Sequence, residues 1–144
     1  MTYSPLLGPI IALVAWTLVM MIWMAVTRLP AMKKAGIDVR KTVGGRGANL
    51  EGVVPDEVNW KSHNYTHLLE QPTIFYAITF ALILMEQNHV INVWLAWGYV
   101  AVRVVHSIVQ ATINKVKYRG PLFGLSSLCL LGLTVHAGAA FLHG

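Results

Sequence analysis

Charge is scarce in this chain, and acid is the scarcest part of it. Six Asp and Glu residues stand against eleven Lys and Arg in 144 positions, while 56% of the residues are hydrophobic and only 12% charged. A soluble domain of this length covers itself with roughly twice that share of charge, so the composition points to a membrane protein. A single cysteine, Cys129, excludes an internal disulfide framework and leaves the compartment open. No Lys or Arg precedes the first apolar run, Leu6–Thr27 (LLGPIIALVAWTLVMMIWMAVT), and the run is long, so it reads as a span rather than a secretory signal.

What is present is four apolar segments, predicted as helices at about 6–27, 63–85, 90–113 and 121–142 of one integral-membrane domain, residues 1–144. At about 1.5 Å per residue the first covers roughly 33 Å, enough for a hydrocarbon core of about 30 Å. The second is the weakest by hydropathy. Its apolar part, PTIFYAITFALILM (Pro72–Met85), is too short alone and has to draw in HNYTHLLEQ from His63 onward. The fold class is therefore an all-α, four-helix transmembrane bundle.

The basic residues are segregated. Ten of the eleven Lys and Arg lie within Arg28–Lys61 or Lys115–Arg119, the first and third connections, which four spans put on one side. The positive-inside rule makes that side cytoplasmic, with the loop 28–62 on it and both termini outside. The net charge of +5 is thereby topological, and nucleic acid is not the expected partner. Arg103 is the exception, set in RVVHSIVQATIN (Arg103–Asn114) inside the third span.

A guanidinium in hydrocarbon needs a partner, because an unpaired ion there is costly. The short connection EQNH makes the second and third spans antiparallel neighbours, so depth can be counted from it. Glu70 lies roughly 22 Å down one helix and Arg103 roughly 20 Å down the other. The pair is expected to meet directly or through one intermediary; the same count sets His67 level with His106, and His63 with Gln110. At about 100° per residue, Arg103, His106, Ser107, Gln110 and Asn114 share one face, and His63, His67 and Glu70 share another. Pro72 lacks an N–H, so a kink and a freed carbonyl, that of Leu68, are expected beside Glu70.

Polar residues between membrane helices can serve register alone. Three ionisable types at matched depth point instead to a cavity or a site. His63 and His67, four apart, have a metal-ligand spacing, but Glu70 stands roughly 10.5 Å from His63 along the axis, and no metal is expected. GGRG (Gly44–Gly47) lacks the ending of a phosphate loop and reads as a connector. GPLFG (Gly120–Gly124) could allow close helix packing, or simply mark a turn and a helix start. Trp94 and Trp97 read as an outer interfacial belt, and His89, His136 and His143 carry no expected catalytic role.

Two stretches, NYTHLLEQPTIFYA (Asn64–Ala77) and WLAWGYVAVRVVHSIVQATINKVKYR (Trp94–Arg119), resemble the MAPEG family, membrane-associated proteins in eicosanoid and glutathione metabolism, in its bacterial form. Its members include microsomal glutathione transferases, leukotriene-C synthases and a microsomal prostaglandin synthase. The resemblance implies a homotrimer of four-helix subunits with glutathione held between neighbours near the cytoplasmic side. It implies a glutathione-contacting role for Arg28, His63, His67, Glu70, Arg103, His106 and Gln110, with Glu70 on the amino group. Arg119 falls where the family has the arginine that stabilises the glutathione thiolate, although residue physics alone makes it an ordinary interfacial anchor. The chain departs from the eicosanoid enzymes at His63 and His67, where they have arginine and asparagine, at Gln110, where they have tyrosine, and at Gly120 and Phe123, where some have serine and tyrosine.

The function so implied is a membrane glutathione transferase or peroxidase, with glutathione as co-substrate and a hydrophobic electrophile or lipid hydroperoxide arriving from the bilayer. The other reading is a non-catalytic lipid- or small-molecule-binding trimer that keeps the polar seam for assembly. A bacterial inner membrane is the expected location.

Overall fold

The computed structural model describes residues 3–143. Helix α1 spans Leu7–Lys34, α2 Asp56–Leu68, α3 Gln71–Leu84, α4 Val90–Thr112 and α5 Val116–His143, with a short 3-10 turn at Gly47–Leu50. Taking α2 and α3 as one broken rod, four helices among the described residues are long and apolar enough to cross a membrane. α4 packs most closely on α5, while α2 lies against α1 and α4, and α3 against α5. The first and third connections, with their basic residues, therefore share one end of the bundle, called here the basic end. The 85–89 turn shares the opposite end with the start of α1 and the finish of α5.

Helix limits differ from those the hydropathy suggests, and each difference has a local cause. α1 runs seven residues beyond Thr27 and stops at a Schellman turn. There Gly36, at φ +78°, donates its N–H to Lys33 O (3.1 Å) and Ile37 donates to Met32 O (3.0 Å), a conformation that suits glycine. α2 begins at Asp56 rather than His63, because Pro55 precedes it and Asp56 and Glu57 occupy the first turn, where carboxylates suit the helix dipole. α5 starts at Val116, winding a turn ahead of Pro121, so Arg119 is helical. The second span breaks at Leu69 and Glu70, the latter at φ −88°, ψ −97°, and restarts at Gln71 with Pro72 in its first turn, where a missing N–H costs nothing.

The apolar core gathers Leu6, Leu13, Phe75, Leu82, Tyr99 and Leu133, all fully buried. Phe75 and Tyr99 stack with ring centroids 4.4 Å apart and planes 9° from parallel, fastening α3 to α4. Thr17, Thr79 and Thr134 turn their hydroxyls onto carbonyls one turn back, satisfying them within the helix. The close α4–α5 approach is made at Gly132, where an added Cβ would stand 3.0 Å from Leu95, not at Gly120 or Gly124, which have open space around them. Leu18, Ile22, Val26, Leu128 and Val135 point outward, as on a lipid- or subunit-facing surface.

Candidate functional site

α4 carries its polar residues on the face it buries. Arg103 is fully buried there, with His106, Ser107 and Gln110 following on the same side toward the basic end. Ser107 ties three helices together: its hydroxyl accepts from Trp16 Nε1 of α1 (3.0 Å) and from Asn64 Nδ2 of α2 (2.7 Å). A neutral hydroxyl held by two donors fixes the register of α1, α2 and α4 without placing any net charge between them.

The arginine is held by one residue twice over. Its Nη1 donates to His67 Nε2 (3.4 Å), and its Nη2 donates to the backbone carbonyl of His67 (3.2 Å). That carbonyl is reachable because the helix breaks just beyond it, at Leu69 and Glu70. The acceptor that the break supplies to Arg103 is thus His67 O, one residue from the Leu68 carbonyl inferred from Pro72. On its other side His67 Nδ1 donates to Glu70 Oε2 (3.0 Å). A single tautomer serves both contacts: the proton sits on Nδ1 and the lone pair of Nε2 faces the guanidinium. Guanidinium, imidazole and carboxylate form a relay, so Arg103 and Glu70 are joined through one intermediary rather than in direct contact.

Aromatic rings enclose this relay. His67 and His106 lie with centroids 5.1 Å apart, Phe123 of α5 sits 5.5 Å from His67, and the Arg103 guanidinium carbon is 5.7 Å from the Phe123 ring. Phe123 thereby covers the arginine from the α5 side with an apolar ring whose face suits a cation. Glu70, by contrast, is open to the surroundings, its side chain 62% exposed.

Glu70 faces a cavity of about 430 Å³, lined also by His63, His67, Gln110 and Glu51. His63 Nε2 meets Glu51 Oε1 there. Gln110 also lines it, and its Oε1 is a buried acceptor with no partner among the described residues. Four residues named from the sequence therefore share one cavity: His63, His67, Glu70 and Gln110. Arg103 and His106 do not line it but stand behind His67, which does. Arg28 stands at its edge, with Nη1 donating to Ser62 Oγ (3.1 Å) and Nη2 to Gly47 O (3.3 Å), both on the cavity lining. Arg119 does not line it. It lies one turn before Phe123 on α5, its Nε buried and unpartnered. Asn114 ends α4 in the left-handed region at φ +54°.

Sequence reasoning overlooked Glu51 and Asn64. Glu51 had one visible signal, an acid in an otherwise basic loop; its partner His63 could not be named without the fold. Among the described residues no set of three His, Cys, Asp or Glu side chains is spaced to hold a metal ion.

The arrangement is a polar cavity at the basic end of an apolar bundle, backed by the Arg103–His67–Glu70 relay. The family profile that describes such chains, that of the MAPEG family, matches residues 6–139. This chain is a MAPEG protein. No curated protein and no solved structure matches it. Membership brings a glutathione-related role of transferase or peroxidase type at the level of the family, and with four spans it makes this MAPEG chain an integral, multi-pass membrane protein.

Proposed function

We propose that the protein is a membrane-embedded, glutathione-dependent transferase or peroxidase acting on hydrophobic electrophiles or lipid hydroperoxides. In this reading it works as a homotrimer in a bacterial inner membrane, with both basic loops cytoplasmic. The observation that supports it best is the 430 Å³ cavity, which combines an exposed carboxylate, a buried unpartnered acceptor and a guanidinium at its edge. Its size is that of ordinary small-molecule sites.

The residues suit the tripeptide. Glu70, oriented by His67, would hold an ammonium group; Gln110 would accept a further N–H; Arg28 would meet a carboxylate. Glutathione would supply the nucleophile, its thiolate. Arg119, which lies outside the cavity within one subunit, would favour that thiolate over the thiol where assembly of the trimer brings it alongside, since a nearby guanidinium lowers the thiol pKa. The Arg103–His67–Glu70 relay would position Glu70 rather than touch the sulfur. Apolar helix faces around the site leave the hydrophobic substrate a path from lipid.

Calorimetric titration of the purified protein with glutathione tests this directly. Heat of binding, together with loss of conjugation of a small aromatic electrophile on Arg119→Ala, supports the enzyme. No heat at millimolar glutathione, with conjugation absent from the unaltered protein, favours a non-catalytic lipid- or small-molecule-binding trimer.

A further inference from the structure

The cavity that holds Glu70 has no Lys or Arg in its lining; its ionisable residues are Glu51, Glu70, His63 and His67. Glutathione at neutral pH carries one ammonium and two carboxylates, so this cavity suits only one end of it. Beside it lies a larger cavity, about 650 Å³, formed by the end of α1 and the loop that follows. Arg28, Lys41 and Arg46 line that second cavity, with Asp38 as its one acid, 3.8 Å from Lys41 Nζ.

The two cavities meet at Gly47, which lines both. Arg28 spans the junction: it belongs to the basic cavity, yet its guanidinium donates to Ser62 and Gly47 on the acidic one. Gly47 also leaves room at the junction for the Arg28 guanidinium, which lies directly against it. A Cβ there would stand 3.2 Å from Arg28 Nη2 and 3.6 Å from Ser62 Oγ, and Gly47 is not among the glycines at positive φ, so bulk rather than backbone strain is what a side chain would add.

Resting on the glutathione reading above, we propose that the 36–50 loop is a second half of the ligand site. Lys41 and Arg46 hold the carboxylates of a zwitterionic peptide ligand, while its ammonium lies across Gly47 against Glu70. The cationic wall carries an excess of positive charge over Asp38, and the facing wall carries carboxylates, so the site is polarised in the sense such a ligand requires. The loop thereby supplies the guanidinium and ammonium groups that the His63 wall lacks.

The test is glutathione titration in detergent micelles of the unaltered protein and five variants. Lys41→Ala and Arg46→Ala should each weaken binding about tenfold, the effect of one charge-assisted hydrogen bond. Gly47→Val should weaken it at least as much without removing a charge. Lys33→Ala, which removes a charge from the same basic end but lines neither cavity, should stay within about twofold. A glutathione diester, its carboxylates masked, should bind the unaltered protein more weakly, and the Lys41→Ala/Arg46→Ala double variant should no longer discriminate it from glutathione. Binding by the unaltered protein with no change in Lys41→Ala and Arg46→Ala overturns the loop subsite and leaves the glutathione reading standing, as does equal loss in Lys33→Ala. No binding by the unaltered protein overturns both.

Discussion

α4 buries polar residues at both of its ends, and the two clusters are finished differently. At the end opposite the basic loops, Asn92 is 3% exposed and finds a partner for both its nitrogen and its oxygen: Nδ2 donates to Gln87 O (3.0 Å), and Oδ1 accepts from His136 Nδ1 (2.6 Å). Nearby, Ser4 Oγ donates to Asn88 Oδ1. At the basic end the valences do not close. Asn64 Oδ1, Arg103 Nε, Gln110 Oε1, Asn114 Oδ1 and Arg119 Nε are all buried and unpartnered, and all lie at that end. A polar cluster whose purpose is register has every reason to satisfy itself in hydrocarbon, where an orphaned group is expensive. The Asn92 cluster does so. The Arg103 cluster leaves donors and acceptors over, as a region completed by water or a ligand would.

The largest effect is expected at His67, whose side chain hydrogen-bonds the buried arginine. His67→Leu leaves Arg103 with a backbone carbonyl and no imidazole, and is expected to lower stability by roughly 2–3 kcal/mol. Adding Arg103→Leu should restore at least half of that loss, since two apolar residues replace a stranded ion. Reversible unfolding in mixed micelles measures all corners of the cycle, and strictly additive losses would remove the relay from the account.

Second in size is the response to ligand. If the open valences receive glutathione, saturating it at a hundred times its dissociation constant raises stability by about 2.7 kcal/mol. Gln110→Leu should reduce that increment while Asn92→Leu leaves it whole. An increment that Asn92→Leu reduces as much as Gln110→Leu would mean the two ends do not differ as described.

These contrasts rest on features of unequal visibility in the sequence. That Arg103, His106, Ser107 and Gln110 share a buried face, and that Glu70 and Arg103 lie at one depth, follows from rise and angle, which are the same in any α-helix. The four spans follow from hydropathy for a similar reason: the bilayer selects on composition alone. Helix ends were less legible. Gly36 after Lys33 and Lys34, and Pro55 before Asp56 and Glu57, are stop and start signals, but both lie in polar sequence that a search for apolar runs passes over. The intermediary in the relay could not be read at all, because which carbonyl and which ring nitrogen face Arg103 depends on the break at Leu69 and Glu70. The pairing of Glu51 with His63 is likewise set by how the 3-10 turn at Gly47–Leu50 lies on α2.

The closed cluster should yield the smallest effects, and these set the scale for the others. Asn92→Leu removes two neutral hydrogen bonds and leaves His136 Nδ1 and Gln87 O without their partner, for an expected loss of about 1 kcal/mol, given that polar contacts within membrane bundles average about 0.6 kcal/mol. His136→Leu made together with Asn92→Leu should cost no more than Asn92→Leu alone, because the imidazole has no other hydrogen-bond partner among the described residues. Ser4→Ala, at the exposed edge, should fall below about 0.5 kcal/mol. If Asn92→Leu instead matched His67→Leu in the same micelles, the neutral clasp would be as consequential as the ion relay. The excess of unpartnered atoms at the basic end would then no longer set it apart as the place where a ligand completes the protein.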